Sequence, residues 1–194
     1  SAAAAVFTKE RQKTAAKAAT SAMAHLRELG MTAPTVEFSF RATEVGPHGA
    51  DRIELLFASD ENLAVGPAAK VASGGELSRL TLALRLATGI GDADLIAFDE
   101  VDAGIGGATA RAMGEKLAAL SIDRQIFCVT HLPQVAAHAD SHFVVTRDGA
   151  QATVQLVDGD ERLSELSRML GGLPDSERGQ LHAAELLSSA REHK

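Results

Sequence analysis

The sequence has one cysteine among its 194 residues, no tryptophan or tyrosine, and no long hydrophobic run. A single cysteine excludes an internal disulfide. No apolar run approaches the length of a membrane span and no signal peptide is visible, so we expect a cytoplasmic protein. The one thiol, Cys128, lies within an apolar stretch, and we expect it to be a small core residue.

Clustered positive charge is also scarce. The chain carries 19 Lys and Arg against 26 Asp and Glu, which gives a net charge of −7. Duplex DNA is bound by lysines and arginines that neutralise its phosphates, so we expect this chain by itself to bind DNA weakly or not at all. Four basic residues near the start leave two interpretations open, a DNA contact or, as the commoner case, a solvated helix face: Lys9, Arg11, Lys13 and Lys17.

The composition that remains is that of an ordinary globular protein, 45% hydrophobic and 23% charged. Residues 2–29 are rich in alanine and lack glycine and proline, which predicts a long solvated helix. Alternating apolar residues over 36–40 and a second run at 53–57 predict a β-hairpin. A loop over residues 59–72 and a helix over 76–88 follow in this prediction.

The turn Ser73-Gly74-Gly75-Glu76 stands at the start of that helix. Backbone N–H groups and a hydroxyl at a helix N-terminus face outward, and the helix dipole favours negative charge there. The turn therefore predicts a phosphate site. A loop with a simple helix cap is the alternative, because a short motif is weak by itself.

Two acids follow a short apolar run at residues 95–98. A run without polar alternation predicts a strand buried on both faces, as in a parallel sheet, where ligands gather at the carboxyl ends of the strands. There Asp99 is placed to hold a metal ion through water, and Glu100 to orient and deprotonate an attacking water. The alternative is that both acids merely end a strand and begin a turn.

A second apolar run, residues 126–129, ends in Thr130-His131. A histidine at this position is placed to touch a γ-phosphate and to report its loss. The alternative is a buried histidine that bonds to the backbone.

A different trio, His138, Asp140 and His142, would share one face of an extended segment. No further ligand is evident, so a surface turn is favoured over a metal site. The remaining predicted elements are helices at 109–120, 133–139, 163–170 and 181–190, and a hairpin made of 143–145 and 154–157.

Taken in order, the serine–glycine turn, the hydrophobic-Asp-Glu run and the strand ending in histidine resemble the signature motif, the Walker B motif and the switch histidine of ABC-type ATPases. Glu100-Val101-Asp102 is similar to the SMC-like branch. Residues 70–79, 98–105 and 130–136 resemble the RecN family of bacterial DNA repair proteins, and the resemblance covers nearly the whole chain. SMC proteins usually carry an aspartate where this chain has Gly106, so the polar contacts of their D-loop do not carry over.

The resemblance implies an α/β fold, the C-terminal lobe of an ABC/SMC-type ATPase head, with a mainly parallel sheet flanked by helices and added β-hairpins. It places this lobe at residues 31–194, after a helical stump of a coiled coil at residues 1–30. It also implies ATP-dependent repair and recombination at DNA double-strand breaks by a nucleoid-associated protein. An ATP-gated scaffold and an ABC transporter subunit are alternatives, the transporter being disfavoured by the helical stump.

The resemblance also assigns the site residues. Catalysis falls to Glu100 and His131, and a water-mediated Mg²⁺ contact to Asp99, all acting on the ATP held by the P-loop of their own head. Asp102 falls in the D-loop region. The residues assigned to the ATP of the opposite head form the turn described above: Ser73, Gly74, Gly75 and Glu76.

The P-loop itself is missing, since the chain contains no Gly-x-x-x-x-Gly-Lys-Ser/Thr and no Gly-Lys pair. The N–H groups and the lysine of that loop supply most of the phosphate binding in such ATPases. We therefore expect this chain alone to bind ATP poorly and to hydrolyse none. The implied partners are an N-terminal lobe of the same protein that carries the P-loop, a second head, and DNA in the whole protein, with no membrane.

Overall fold

In the computed structural model, which describes residues 2–89, 93–171 and 176–192, the chain folds as two units, Ser1–Ala93 and Asp94–Lys194. The first unit contains a long helix, a three-stranded antiparallel sheet and two further helices. Its elements are α1 (Ala2–Glu28), β1 (Thr35–Gly46), β2 (Gly49–Ala58), β3 (Gly66–Pro67), α2 (Ala68–Val71) and α3 (Gly74–Thr88).

The predicted hairpin and both long helices of this unit are confirmed. Strands β1 and β2 pair antiparallel with Val36 opposite Phe57, so one face of the hairpin turns its apolar residues inward. The prediction of a loop over residues 59–72 is wrong in part. Gly66 and Pro67 pair with Phe57 and Leu56 as β3, and α2 starts directly afterwards with Pro67 as its N-cap residue.

Helix α1 is not a solvated helix along its whole length. Its C-terminal half buries Ala18, Ala22 and Leu26, since alanine lets a helix approach β1 and α3 closely. The core of the unit joins residues from every long element: Ala19, Ala22, Leu26, Met31, Val36, Phe57, Ala68, Leu80 and Ala83. The division into a stump at residues 1–30 and a lobe at 31–194 stays a prediction.

In its described residues the second unit contains a parallel pair of strands, a hairpin and four helices. Helix α4 connects the two parallel strands, and its Met113 and Leu117 are buried. The elements are β4 (Leu95–Phe98), α4 (Gly107–Leu120), β5 (Gln125–Cys128), α5 (Pro133–Ala136), β6 (His142–Asp148), β7 (Gln151–Val157), α6 (Gly159–Met169) and α7 (Glu177–Glu192).

The α/β class is confirmed, and the described residues form a parallel pair of strands with added β-hairpins. Only β4 and β5 pair in parallel, whereas β1–β2, β2–β3 and β6–β7 are antiparallel. The physical reason is the length of the connections. A parallel pair needs a crossover such as α4, whereas strands joined by a tight turn pair antiparallel.

Strand β4 is also not buried on both faces. Ile96 and Phe98 point into the unit, whereas Leu95 is 54% exposed. On the neighbouring strand Phe127 is 52% exposed, and Val129, just beyond the strand, is exposed as well. The apolar run therefore predicted a buried face, but among the described residues this face of the sheet is exposed.

The helical end of the unit encloses two histidines. His138 and His142 are buried, which corrects the expectation of a surface turn. The Nδ1 atom of His142 has no hydrogen-bond partner in the described part of the chain. Burial, with the positive charge of Arg162, lowers the pKa of His142 below its ordinary value of 6.5.

Arg162 holds the end of α5. Its guanidinium donates to the carbonyl oxygens of Ala136, Ala137 and Ala139, at 3.2, 3.2 and 2.8 Å. These carbonyls close a short helix, where a cation complements the helix dipole.

None of the helices described is both long and apolar enough to cross a lipid bilayer.

Candidate functional site

The serine–glycine turn is a complete helix cap at the start of α3. Ser73 is the N-cap residue, and its Oγ accepts a hydrogen bond from the Glu76 N–H at 3.3 Å. The Glu76 carboxylate in return accepts from the Ser73 N–H at 2.8 Å. This reciprocal pair is a capping box, which satisfies two of the donors that a helix start leaves without partners.

The two glycines occupy the first and second positions of the helix. Gly74 is exposed and Gly75 is buried. In a regular helix the N–H groups at these positions have no intrahelical partner, so they are the donors available to an anion. A phosphate site at Ser73, Gly74 and Gly75 stays a prediction.

Glu76 is in a different position from its three neighbours in the turn. Hydrogen bonds from the Ser59 hydroxyl and from the Ser73 N–H lower its pKa, so it is a carboxylate at neutral pH. A carboxylate repels a phosphate and is already engaged by the cap. Glu76 is therefore better suited to shape the turn than to contact a nucleotide.

The other predicted site residues lie at one edge of the second unit. Phe98 stands opposite Cys128 in the parallel pair, and the Val129 N–H donates to the Phe98 carbonyl at 3.0 Å. The residues that follow each strand therefore leave the sheet side by side, at the carboxyl edge where ligands bind in parallel sheets. The fold brings the acid pair and the histidine to the same edge, as predicted.

Glu100 has an unusual backbone conformation. Its φ is +56°, and among the residues described it is the one non-glycine with positive φ. A left-handed conformation costs an L-residue about 1–2 kcal/mol. Such strain concentrates at functional sites, where a side chain must be aimed in one direction.

Asp102 connects the two turns at this edge, and we name Asp102, Thr130 and His131 the aspartate link. The Oδ2 atom of Asp102 accepts from the Thr130 hydroxyl at 2.5 Å and from the His131 backbone N–H at 3.1 Å. The Nδ1 atom of the His131 imidazole lies 3.2 Å from the same oxygen. Sequence reasoning placed Asp102 only in the D-loop region and gave Thr130 no role.

Cys128 lies beside this link. It is half-buried, and burial together with the charges of Asp102 and Asp99 raises the pKa of its thiol to about 12. The thiol is therefore protonated at neutral pH and is a poor nucleophile.

The acid pair fits Mg²⁺ bound together with a nucleotide. Asp99 and Glu100 are both exposed. Mg²⁺ takes one or two carboxylates and completes its shell with water and substrate phosphates. No group of three or more His, Cys, Asp or Glu in the described ranges is arranged to hold a metal ion, so neither the acid pair nor the trio around His138 forms a closed metal centre.

The chain is similar in sequence to proteins of one family. The chain is 43% identical over 203 residues to the DNA repair protein RecN of Streptomyces coelicolor, which covers 95% of this chain and 36% of that protein. It is 44% identical to the RecN of Deinococcus radiodurans over 92% of this chain and 32% of that protein. The chain belongs to the RecN family. A third RecN protein, from Mycobacterium leprae, is 48% identical over 77% of this chain and 26% of its own length.

This RecN-family chain therefore spans about a third of the length of the curated relatives it matches. No protein-family model matches it. Solved SMC structures are similar to it in fold. The Smc head domain of Pyrococcus yayanosii, with a coiled coil and joint, has a TM-score of 0.58 and 19% identity and covers 78% of this chain and 29% of that chain.

A second structural neighbour comes from a study of ATP-driven dimerization and DNA-stimulated activation of SMC ATPases. It has a TM-score of 0.50 and 18% identity, and it covers 84% of this chain and 96% of that chain. At such identities the likeness concerns the fold alone. It confirms the SMC-type head fold expected from the sequence.

Proposed function

We propose that this chain is the C-terminal half of the ATPase head of an ATP-dependent protein for repair and recombination at DNA double-strand breaks. ATP is bound and hydrolysed where two heads meet. The P-loop comes from an N-terminal lobe of the same protein. The relatives in the RecN family are named as DNA repair proteins, and one structural neighbour comes from work on ATP-driven dimerization of SMC ATPases, which supports this proposal.

The observation that carries the proposal is the shared edge of β4 and β5. The acid pair and His131 follow two adjacent parallel strands, and Asp102 contacts the turn after the second strand. In this arrangement Asp99 would hold Mg²⁺ through water, and Glu100 would orient and deprotonate the attacking water. His131 contacts the γ-phosphate. Bound Mg²⁺ neutralises the charge that develops on the phosphates.

The serine–glycine turn acts on a different nucleotide. Ser73, Gly74 and Gly75 present a hydroxyl and two helix N-terminal amides to the γ-phosphate held by the opposite head. Burying that phosphate between two heads makes their association depend on ATP by mass action. The capping box keeps the turn in shape before the nucleotide arrives.

Exposed apolar surface supports a missing partner lobe. Leu95, Phe127 and Val129 are large apolar residues that lie exposed along β4 and β5. On the hairpin β6–β7, the directly paired Phe143 and Leu156, and Val145 and Val154, are exposed too. Apolar patches of this kind mark surfaces that another polypeptide covers, and we assign that role to the P-loop lobe.

The proposal is tested by reconstitution. The chain alone is expected to hydrolyse no ATP, and mixing with the P-loop lobe is expected to give Mg²⁺-dependent hydrolysis. In the assembled protein, Glu100→Gln should lower kcat about 10²–10⁴-fold while ATP remains bound and the heads stay together, because only the base is removed. Asp123→Asn is the matched control. It changes an exposed aspartate in the loop between α4 and β5 and should leave hydrolysis unchanged.

Two results would contradict the proposal. Hydrolysis by the isolated chain would mean that no P-loop partner is needed. An assembled Glu100→Gln protein that hydrolyses ATP at the wild-type rate would remove Glu100 as the base. If Glu100→Gln also left DNA repair intact while Ser73→Arg abolished head association and repair, the protein would be an ATP-gated scaffold.

A further inference from the structure

The aspartate link contains a buried carboxylate beside an exposed histidine. Asp102 is 3% exposed, whereas the side chain of His131 is 72% exposed. Both acids that precede Asp102, Asp99 and Glu100, are exposed. Asp102 is therefore the buried carboxylate of this turn. It contacts residues after β5 that lie 28 and 29 positions away in sequence.

The contacts of Asp102 fix which nitrogen of His131 carries the proton. A carboxylate accepts hydrogen bonds and repels a lone pair, so an oxygen at 3.2 Å from Nδ1 favours the tautomer with hydrogen on Nδ1. The tautomer is assigned from this contact. Nε2 is then the unprotonated nitrogen of the neutral ring, on an imidazole that faces solvent.

Thr130 prevents the link from turning. Its hydroxyl donates to Asp102 Oδ2 and accepts from the Leu132 N–H at 3.0 Å, which uses its one hydrogen and one of its lone pairs. Leu132 is the N-cap residue of α5, and its own backbone carbonyl accepts from Val135 and Ala136. The segment that carries His131 is thus held by Asp102 on one side and by a helix start on the other.

We propose that Asp102 is a positioning residue that sets the orientation and the tautomer of His131. It directs Nε2 toward the nucleotide. This proposal rests on the proposed function, in which His131 contacts the γ-phosphate. Asp102 itself is too buried to touch the substrate.

The first test is a spectroscopic one that needs no ATP. Nitrogen NMR distinguishes the two tautomers of a neutral imidazole, and the His131 signal is identified by its loss in His131→Gln. The wild-type chain should show hydrogen on Nδ1. Asp102→Asn should move it to Nε2, whereas Thr130→Val, which leaves the carboxylate in place, and Asp123→Asn should not.

The second test measures hydrolysis in the protein assembled with its P-loop lobe. Asp102→Asn should lower kcat about 10- to 100-fold, the usual cost of losing a partner that orients a histidine. It should change KM for ATP much less, because Asp102 does not contact the nucleotide. Asp123→Asn should change neither.

Either test overturns the proposal by a definite result. Hydrogen on Nε2 in the wild-type chain overturns it even if Asp102→Asn fails to fold, and so does an unchanged tautomer in a folded Asp102→Asn chain. A shifted tautomer with an unchanged kcat overturns it too. A wild-type assembly without ATPase activity would instead refute the proposed function, and the nitrogen spectra would still decide how Asp102 sets His131.

Discussion

The serine–glycine turn and the edge of β4 and β5 both hold predicted nucleotide contacts, but their contacts differ in range. In the turn, each hydrogen bond joins Ser73 to Glu76, three residues away. At the edge, Asp102 bonds residues 28 and 29 positions further along the chain. The first arrangement needs only its own few residues and a helix to follow. The second exists only after β4 and β5 have paired around α4.

Because of this difference, the geometry of the two places indicates a function with different strength. A capping box forms in many helices that bind nothing, so the geometry of the turn fits a cap and a phosphate site equally well. The aspartate link has no such local purpose. It also stands beside Glu100, the strained residue of the same turn. The edge is therefore the stronger indication of chemistry, and the turn needs a variant that keeps the cap.

The variant with the largest expected effect is Ser73→Asp. Aspartate caps a helix as well as serine does, so the stability of the chain should stay within about 0.5 kcal/mol. Its negative charge would face the γ-phosphate of the opposite head, and like charges across an interface cost several kcal/mol. ATP-dependent association of two assembled heads, measured by sedimentation in the Glu100→Gln background, should weaken about 100-fold.

The control for that experiment is Ser73→Ala, which removes the cap and adds no charge. It should cost about 1 kcal/mol of stability and weaken association much less than Ser73→Asp. If Ser73→Asp heads associate like wild type, the turn is a cap only, and the comparison between the two places becomes one between structure and chemistry.

The second variant, Thr130→Val, compares the two places in stability. It removes the hydroxyl from a buried carboxylate and leaves the Leu132 N–H without its acceptor. Leaving such groups unsatisfied costs about 1–3 kcal/mol. Thr130→Val should therefore lower the free energy of unfolding, measured in urea, more than Ser73→Ala does. Hydrogen exchange should show the loss in residues after β5. Equal costs for the two variants would mean that the aspartate link is no stronger than a local cap.

The smallest expected effect is a difference in acid sensitivity. The pKa of His142 is lowered by burial and by Arg162, and that of Glu76 by hydrogen bonds from Ser59 and Ser73. In both cases the unfolded chain binds the proton more tightly, so stability is lost as pH falls below the ordinary value of each group. The contribution of His142 should disappear below pH 6.5 and that of Glu76 only below pH 4.5.

Hydrogen exchange at several pH values measures this order. Protection in α6 and β6 should fall before protection at the start of α3, since Arg162 and His142 belong to those two elements. His142→Asn should abolish the step below pH 6.5, and Glu76→Gln the step below pH 4.5. Simultaneous loss in both places at the same pH would show that these two groups do not govern the acid response.

Sequence reasoning succeeded where contacts are local. The cap at Ser73, the two hairpins and helix α4 all follow from spacing and turn residues. The order of the three motifs also predicted the family and the α/β class. These features depend on a few neighbouring residues, which a single sequence contains.

It failed where the outcome depends on what packs against a segment. The apolar runs of β4 and β5 predicted strands covered on both faces, and one face is exposed. His138 and His142 were expected at the surface, and both are buried. The link from Asp102 to Thr130 and His131 has no signal in spacing, because it depends on strand pairing over a long stretch of chain.

The left-handed backbone of Glu100 has a consequence for laboratory evolution. Glycine adopts this conformation without a steric cost, so a library screened only for heat resistance should enrich Glu100→Gly. The same replacement deletes the proposed base. A population selected for heat resistance would therefore lose ATP hydrolysis through this position. A second selection for ATP turnover would then show which side chain at position 100 hydrolysis requires.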